Sequence, residues 1–360
     1  MAPYKFAVIG NAWRARLIAD IARRLPDELE VVGVVVRRPE AATEAAQAMG
    51  TRAFLSVEEM VEAAGPDFVV TAVPRSINPG LVEAIVDLGC PVLTETPPAG
   101  PLDELRALWA KVGDRRMVQV AEQYLLYPNH AARLQLVRQG VIGRPTSVQV
   151  SSTHGYHAVS IMRGFLGAGG GPATVRASVF EAPLVGPLTR EGWTDDDTAT
   201  PARTTLATID FGDGSGLYDF TDNQWHNQLR MRRLVVRGSL GEIVDDSVVR
   251  LAGPRAIVHS SLHRYQLGYD LNLDGYDTEH ISFDGEVVYR NPFLSHRFMD
   301  EDIAIAGSLV ATGAWSRDEG PPPYPLADGC QDQLVSLAIE EAAASGLSVT
   351  TSAEAWSGQL

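Results

Sequence analysis

A chain of 360 residues is long for a single hydrophobic core, so two domains are expected. Thirty basic against forty-five acidic residues leave a formal charge of −15, which argues against nucleic acid or an anionic membrane as a partner. No apolar run reaches membrane-spanning length, the N-terminus enters a strand instead of a leader, and Cys90 and Cys330 lack metal-type spacing; a cytoplasmic protein with two reduced, packed thiols is expected.

The first strand, from the apolar run Phe6-Ala7-Val8-Ile9, ends at Gly10, and a helix-competent segment begins within three residues. Gly10, Ala12 and Ala15 stand where a G-x-G-x-x-G turn would bring backbone N–H groups and a helix N-terminus against a pyrophosphate. Each alanine adds a methyl where glycine allows the closest approach, so the motif alone leaves an ordinary strand-turn-helix open. The order of elements favours the cofactor. Strands over 31–36, 68–72, 91–93 and 117–121 alternate with helices over 39–49, 57–64, 79–88 and 102–112. Near-continuous apolar strands separated by amphipathic helices make a parallel sheet covered on both faces, with its ligand crevice beyond the carboxyl ends of the strands.

Those ends supply the candidate cofactor contacts: Gly10, Ala12, Trp13 and Arg14, then Arg37 and Arg38, Val73 and Pro74, Glu95-Thr96-Pro97, and Gln123. A carboxylate at the end of the second strand suits the ribose hydroxyl of NAD. Here Val36 stands near that place, and the Arg37 and Arg38 forks suit a 2′-phosphate, so NADP is favoured over NAD. The alternative is a pair of solvated arginines.

From residue 123 the pattern changes. A helix over 128–139, a strand over 146–151, a helix over 157–166 and a loop over 167–172 precede strand-like stretches at 175–180, 204–211, 216–221, 234–237, 245–251 and 287–289. Gly212-Asp213-Gly214 reads as a hairpin turn, helices return at 300–312 and 331–345, 321–323 is a stiff proline connector, and 352–360 reads as a tail. The expected fold class is α/β: a Rossmann domain over 1–122, then an α+β domain with a large, mostly antiparallel sheet over 123–360 for substrate and oligomer contacts.

Two clusters carry candidate chemistry. Thr153-His154-Gly155-Tyr156-His157 places two imidazoles and a phenol together, with Tyr124 nearby in sequence; an imidazole passes protons near neutral pH, while the plainer reading is a helix cap or a packed ring. In Tyr218-Asp219-Phe220-Thr221-Asp222-Asn223-Gln224-Trp225-His226-Asn227, alternation sends Tyr218, Phe220 and Asp222 one way. Amides, a carboxylate and an indole suit a sugar, so Asp222 and Trp225 join Tyr124 and Thr153 as substrate candidates. The plainer reading is a strand end anchored by Trp225. Asp195-Asp196-Asp197 reads as a solvated turn, and no metal is expected. Arg230, Arg232 and Arg233 read as an exposed strand start or an interface.

Over nearly its whole length the chain resembles the glucose-fructose oxidoreductase, inositol dehydrogenase and rhizopine-catabolism family (Gfo/Idh/MocA). The resemblance rests on Val8-Ile9-Gly10, Glu95-Thr96-Pro97, Gly140-Val141-Ile142-Gly143 before a strand, and His157 opening a helix that ends at Gly167. Val236-Arg237-Gly238-Ser239-Leu240-Gly241 and Ile339-Glu340-Glu341-Ala342 followed by Ser345-Gly346 extend it. It implies a nicotinamide cofactor in the first domain, a sugar, cyclitol or related polyol on the open sheet of the second, and homodimers or homotetramers built through that sheet. It also marks two departures. Thr96 stands where the family's Glu-Lys-Pro has lysine, and Thr153 stands where an aspartate usually precedes the helix-starting histidine by four residues. A threonine hydroxyl does not titrate near neutrality. His157, Tyr156, His154 and Glu95 remain as candidate catalytic groups. Three functions compete: an NAD(P)-dependent oxidoreductase, a redox-neutral glycoside-cleaving or epimerising enzyme with tightly held nucleotide, and a non-catalytic nucleotide-binding protein.

Overall fold

The computed structural model describes residues 2–189, 192–266 and 276–360. In chain order its first elements are β1 (Tyr4–Ile9), α1 (Trp13–Arg24), β2 (Leu29–Val35), α2 (Ala42–Met49), β3 (Ala53–Phe54) and α3 (Val57–Ala64). Next come β4 (Phe68–Thr71), α4 (Asn78–Asp87), β5 (Val92–Thr94), α5 (Leu102–Val112), β6 (Val118–Val120), α6 (Pro128–Arg138), β7 (Pro145–Ser151) and α7 (Gly155–Leu166). Strands then dominate: β8 (Thr174–Val185), β9 (Leu188–Thr189), β10 (Gly192–Trp193), β11 (Ala199–Asp210), β12 (Ser215–Thr221), β13 (Arg233–Gly238) and β14 (Gly241–Val244). The chain closes with β15 (Ser247–Gly253), β16 (Ala256–Gln266), β17 (Thr278–Phe283), β18 (Glu286–Arg290), α8 (Asp300–Ser316), α9 (Leu326–Ser345) and β19 (Val349–Thr350). Among the described residues no helix is long and apolar enough to cross a membrane.

The chain forms two compact units. One comprises the described residues of Met1–Pro128, Gln266–Glu279 and Asn291–Cys330. Its sheet runs β3-β2-β1-β4-β5-β6 with every pair parallel, the doubly wound order. Phe6, Ala7, Val8 and Ile9 are all buried, as expected of a central strand with both faces covered. On one face Phe6, Val8, Ile18, Ile21 and Leu25 share a core with Phe293, Phe298, Ile303, Ile305 and Leu309. The segment that the sequence assigns to a second domain thus completes the first core. A single cut at 122/123 does not follow the compact units, because α8 is apolar on the side that meets β1, β4 and α1.

The other unit comprises Asn129–Tyr265, His280–Arg290 and Gln331–Leu360. Its eleven-stranded sheet runs β18-β17-β16-β15-β14-β13-β7-β12-β11-β8-β19, with β7 and β12 parallel. Helix α7 packs on β7 and β12, and α9 packs on α7 through a buried ion pair, Arg163 to Asp332 at 2.7 Å. Beneath α7, Tyr218 and Phe220 are buried, while on the opposite face Phe180, Leu206 and Leu217 are exposed.

Several sequence expectations shift. The strand expected over 245–251 is β15, which starts two residues later at Ser247; the unexpected β14 precedes it, and the turn between them holds Asp245 at a φ of 50°, which an aspartate tolerates. Strands β16 and β17 were not expected, because β16 alternates histidine, serine and aliphatic residues along a largely exposed ribbon instead of apolar with polar. Strands β8 and β11 outrun their expected ends: Pro183 faces Pro201 across the pair, and both prolines read as stops. Residues 352–360 are no tail. Trp356 is fully buried, and its Nε1 donates to Gln331 Oε1 at 2.9 Å.

Candidate functional site

In the six-stranded unit the turn after β1 is shaped by close approach. Gly10 has φ +121°, and a Cβ there would lie 2.3 Å from the Ala72 carbonyl oxygen, so glycine is required. Ala12 is the N-cap of α1 and supplies no side-chain cap, and the first turn of the helix carries no acidic residue. The helix N-terminus therefore presents backbone N–H groups and its dipole to an anion without an internal competitor. Trp13 is 52% exposed beside that turn.

Arg14, on the first turn of α1, is committed elsewhere. Its Nε donates to Glu95 Oε1 at 2.8 Å, its Nη2 donates to Gln123 Oε1 at 3.3 Å, and its Nη1 lies 3.6 Å from the Glu301 carboxylate. Burial works against its charge, but Glu95, then Glu301 and Tyr127, more than offset this and hold the guanidinium protonated. One arginine thus joins residues that follow β1, β5 and β6 to α8. Gln123 is buried. Tyr124 and Tyr127 lie in the same unit with ring centroids 5.3 Å apart, and burial raises the Tyr127 phenol far above its ordinary range.

The turn Glu95-Thr96-Pro97 is held from below by a network that sequence reasoning missed. Asn78 Nδ2 donates to Thr94 Oγ1 at 2.7 Å and to the Pro98 carbonyl at 3.1 Å, while its Oδ1 accepts from Thr71 Oγ1 at 2.7 Å. Thr71, Asn78 and Thr94 are all buried, so the network joins the ends of β4 and β5 to the start of α4 in a low-dielectric setting. The available signal was a threonine closing each of two apolar strands and an asparagine directly before the Pro79 of a helix start. The Thr96–Pro97 bond is cis. Val73 and Pro74 follow β4, half-buried and exposed respectively. Arg37 and Arg38 follow β2 and are both exposed; Arg38 Nε lies 3.7 Å from Glu40, whereas Arg37 has no ion pair among the described residues.

In the eleven-stranded unit the imidazoles sit on an aromatic platform. Phe220 and Trp225 stack at 5.2 Å and 11° between planes, and Tyr218 continues the stack at 6.2 Å from Phe220. His154 stands edge-on to Trp225 at 5.5 Å and to His157 at 4.9 Å, and Tyr156 meets His157 at 5.3 Å. His154 is the exposed N-cap residue of α7, His157 is half-buried one turn on, and Thr153 and Tyr156 are buried. The Tyr218 hydroxyl accepts from Gly155 N at 3.0 Å and so satisfies one open N–H of α7. Burial raises that phenol well above its ordinary range. A Cβ at Gly155 would lie 2.5 Å from Ser336 Oγ, so a larger residue there would require that hydroxyl to turn away. The rings that the sequence singles out, His154, Tyr156, His157 and Trp225, lie in contact with one another, whereas the capping role of Tyr218 escaped sequence reasoning.

The second polar cluster divides. Gln224 is buried and spends its amide on Ser151 O at 2.9 Å and Met231 O at 3.0 Å, while its Oε1 accepts from Thr221 N. Asn227 is likewise spent on Val185 O at 2.8 Å and on Leu229 N. These amides shape a loop. Tyr218 and Phe220 share a buried face as expected, but Asp222 lies beyond the end of β12 and is exposed. Arg232 donates to the Trp225 carbonyl, and Arg233 lies 3.7 Å from Asp219. In the aspartate run, Asp196 Oδ1 accepts from Thr198 N at 2.8 Å.

Residues 4–122 match the profile of an oxidoreductase family with an NAD-binding Rossmann fold, Gfo/Idh/MocA, over about a third of the chain. No curated protein matches the chain. Solved structures are similar over nearly all of it. An oxidoreductase from Agrobacterium radiobacter in complex with NAD+, L-tartaric acid and magnesium has a TM-score of 0.69 at 16% identity, covering 96% of this chain and 98% of its own. A levoglucosan dehydrogenase in complex with NADH and levoglucosan has a TM-score of 0.68 at 19% identity, covering 97% and 99%. A myo-inositol dehydrogenase from Corynebacterium glutamicum ATCC 13032 has a TM-score of 0.65 at 19% identity, covering 97% and 98%. At such identities the likeness establishes a shared fold.

Proposed function

We propose that the whole chain is a member of the Gfo/Idh/MocA family and a nicotinamide-nucleotide-dependent oxidoreductase acting on a sugar, cyclitol or related polyol or carbonyl compound. The observation that carries this reading is the family match of residues 4–122 together with the turn it contains: Gly10 in a conformation that excludes a side chain, followed by an uncapped helix N-terminus. Those features fit a dinucleotide. The backbone N–H groups of Ala12, Trp13 and Arg14 would hold its pyrophosphate, and Val73, Pro74, Thr96 and Pro97 would flank it. When bound, the nicotinamide ring accepts or supplies a hydride. The residues of this chain do the rest. His157, edge-on to His154 and Tyr156, takes or gives the proton of the substrate hydroxyl, and the Trp225–Phe220 stack offers an apolar plane to a sugar ring. Glu95 keeps its place beside the crevice, paired with Arg14. Tyr124, Thr153 and Asp222 remain proposed substrate contacts.

The reading favours NADP. Val36 instead of a carboxylate directly follows β2, and the exposed, unpaired Arg37 with Arg38 beside it suits a 2′-phosphate. The same reading makes the protein a cytoplasmic homodimer or homotetramer joined through the exposed sheet face that carries Phe180, Leu206 and Leu217.

A panel of sugars, cyclitols and their oxidised forms, followed by absorbance of the reduced nicotinamide, tests the activity. Steady consumption of free nucleotide supports it, and the Arg37→Ala/Arg38→Ala double variant is expected to lose about tenfold or more in NADP+ affinity while NAD+ affinity stays put. A second reading draws on Thr96, whose hydroxyl does not titrate near neutrality as an acid-base group would: a redox-neutral enzyme that returns the hydride after cleavage or epimerisation. Product formed with no net nicotinamide change would select it.

A further inference from the structure

Arg14 sits where a cation beside a phosphate-binding turn looks ready to meet the phosphate, yet its surroundings oppose that role. All three guanidinium nitrogens face an acceptor: Nε on Glu95 at 2.8 Å, Nη2 on Gln123 at 3.3 Å, and Nη1 towards Glu301 at 3.6 Å. The Arg14 side chain is 15% exposed and that of Glu95 21%. Two carboxylates around one guanidinium leave the group with an excess of negative charge, which repels a pyrophosphate from the side chain. Turning Arg14 towards an anion would also strand Glu95, a half-buried carboxylate, without its charged partner.

We infer that Arg14 is a positioning residue, a clasp that ties the turn after β5 and the residue after β6 to the first turn of α1, so that the nucleotide site keeps its binding shape only while the Arg14–Glu95 pair is closed. The inference rests on the nicotinamide-nucleotide reading above. It assigns the anion to the backbone N–H groups of α1 and leaves the Arg14 side chain out of contact with it. The two roles make opposite forecasts for Glu95. If the Arg14 side chain bound phosphate, Glu95 would compete for it, and removing Glu95 would tighten nucleotide binding. If the pair is a clasp, removing either partner opens the same contact and loosens binding alike.

The test is a double-mutant cycle on the full-length protein: Arg14→Met, Glu95→Met and the double variant, each titrated with NADP+ and NAD+ by calorimetry. Each single variant is expected to weaken binding about tenfold, and the double variant also about tenfold instead of a hundredfold. Binding that tightens or stays unchanged in Glu95→Met, or losses that multiply in the double variant, overturns the clasp. Thermal melts report whether the variants fold. Should they not, Arg14→Lys serves, because a point charge reaches one acceptor and cannot span Glu95 and Gln123 together; a severalfold loss supports the clasp and unchanged affinity overturns it. A wild-type chain that binds neither nucleotide overturns the functional reading and the clasp with it, whereas wild-type binding with multiplying losses overturns the clasp alone.

Discussion

At Gly10 the backbone passes so close to Ala72 that no side chain fits, whereas at His157 the backbone is an ordinary helix and everything of interest lies in rings that touch one another. The first region makes its candidate site from main-chain geometry, set by a parallel sheet whose register leaves little freedom. The second makes it from side chains standing on other side chains, Trp225 on Phe220 on Tyr218. A site of the first kind tolerates changes at most side chains and fails when the backbone path is blocked. A site of the second kind is weakened by the loss of any one ring, to the degree that ring takes part in the chemistry.

The sharpest way to break this contrast is His157→Ala. Loss of an acid-base group is expected to cut turnover by about 10² to 10⁴-fold while nucleotide affinity stays within about twofold, as read by steady-state kinetics alongside calorimetry. Unchanged turnover would remove the imidazole cluster from the chemistry. Trp225→Ala is expected to act more mildly. Losing one stacked aromatic face raises KM for a cyclic polyol by roughly 3- to 10-fold with less effect on kcat; a fall in kcat alone would assign the indole to something other than sugar binding.

How far each region could be read in advance follows the same division. The near-continuous apolar strands and the spacing of Gly10, Ala12 and Ala15 spell out a parallel sheet and its turn, because backbone packing writes itself into periodicity. Asn78 and its two threonines escaped, since a buried polar network has no period. The tyrosine hydroxyl that caps α7 from β12 escaped for a related reason: Tyr218 and Gly155 meet only in three dimensions. Gln224 and Asn227 looked like sugar ligands because sequence shows their chemistry and hides that backbone carbonyls already use it. Trp356 was placed in a tail because its partner Gln331 is far off in the chain.

A further expected effect concerns stability in the second unit. Burial, and after it the Arg133 charge, push His130 down to about 3 from an ordinary 6.5. Between those values the unfolded chain takes up a proton that the folded chain refuses. The contribution of the neutral ring is therefore full above about pH 6.5 and is lost as pH falls towards 3, with a slope of up to about 1.4 kcal/mol per pH unit. His130→Leu should flatten the acid limb of denaturant-derived stability by that slope; an unaltered limb would show that His130 does not govern it.

The central claim, that the amino-terminal unit binds a nicotinamide nucleotide through the turn at Gly10, is tested most directly by calorimetric titration of the full chain with NADP+ and NAD+ in both redox states, with Gly10→Val as the control. Saturable heat with the wild type, tighter for the NADP pair, and its loss in Gly10→Val are the expected result. No heat with any of the four nucleotides, or undiminished binding in a folded Gly10→Val protein, would contradict it.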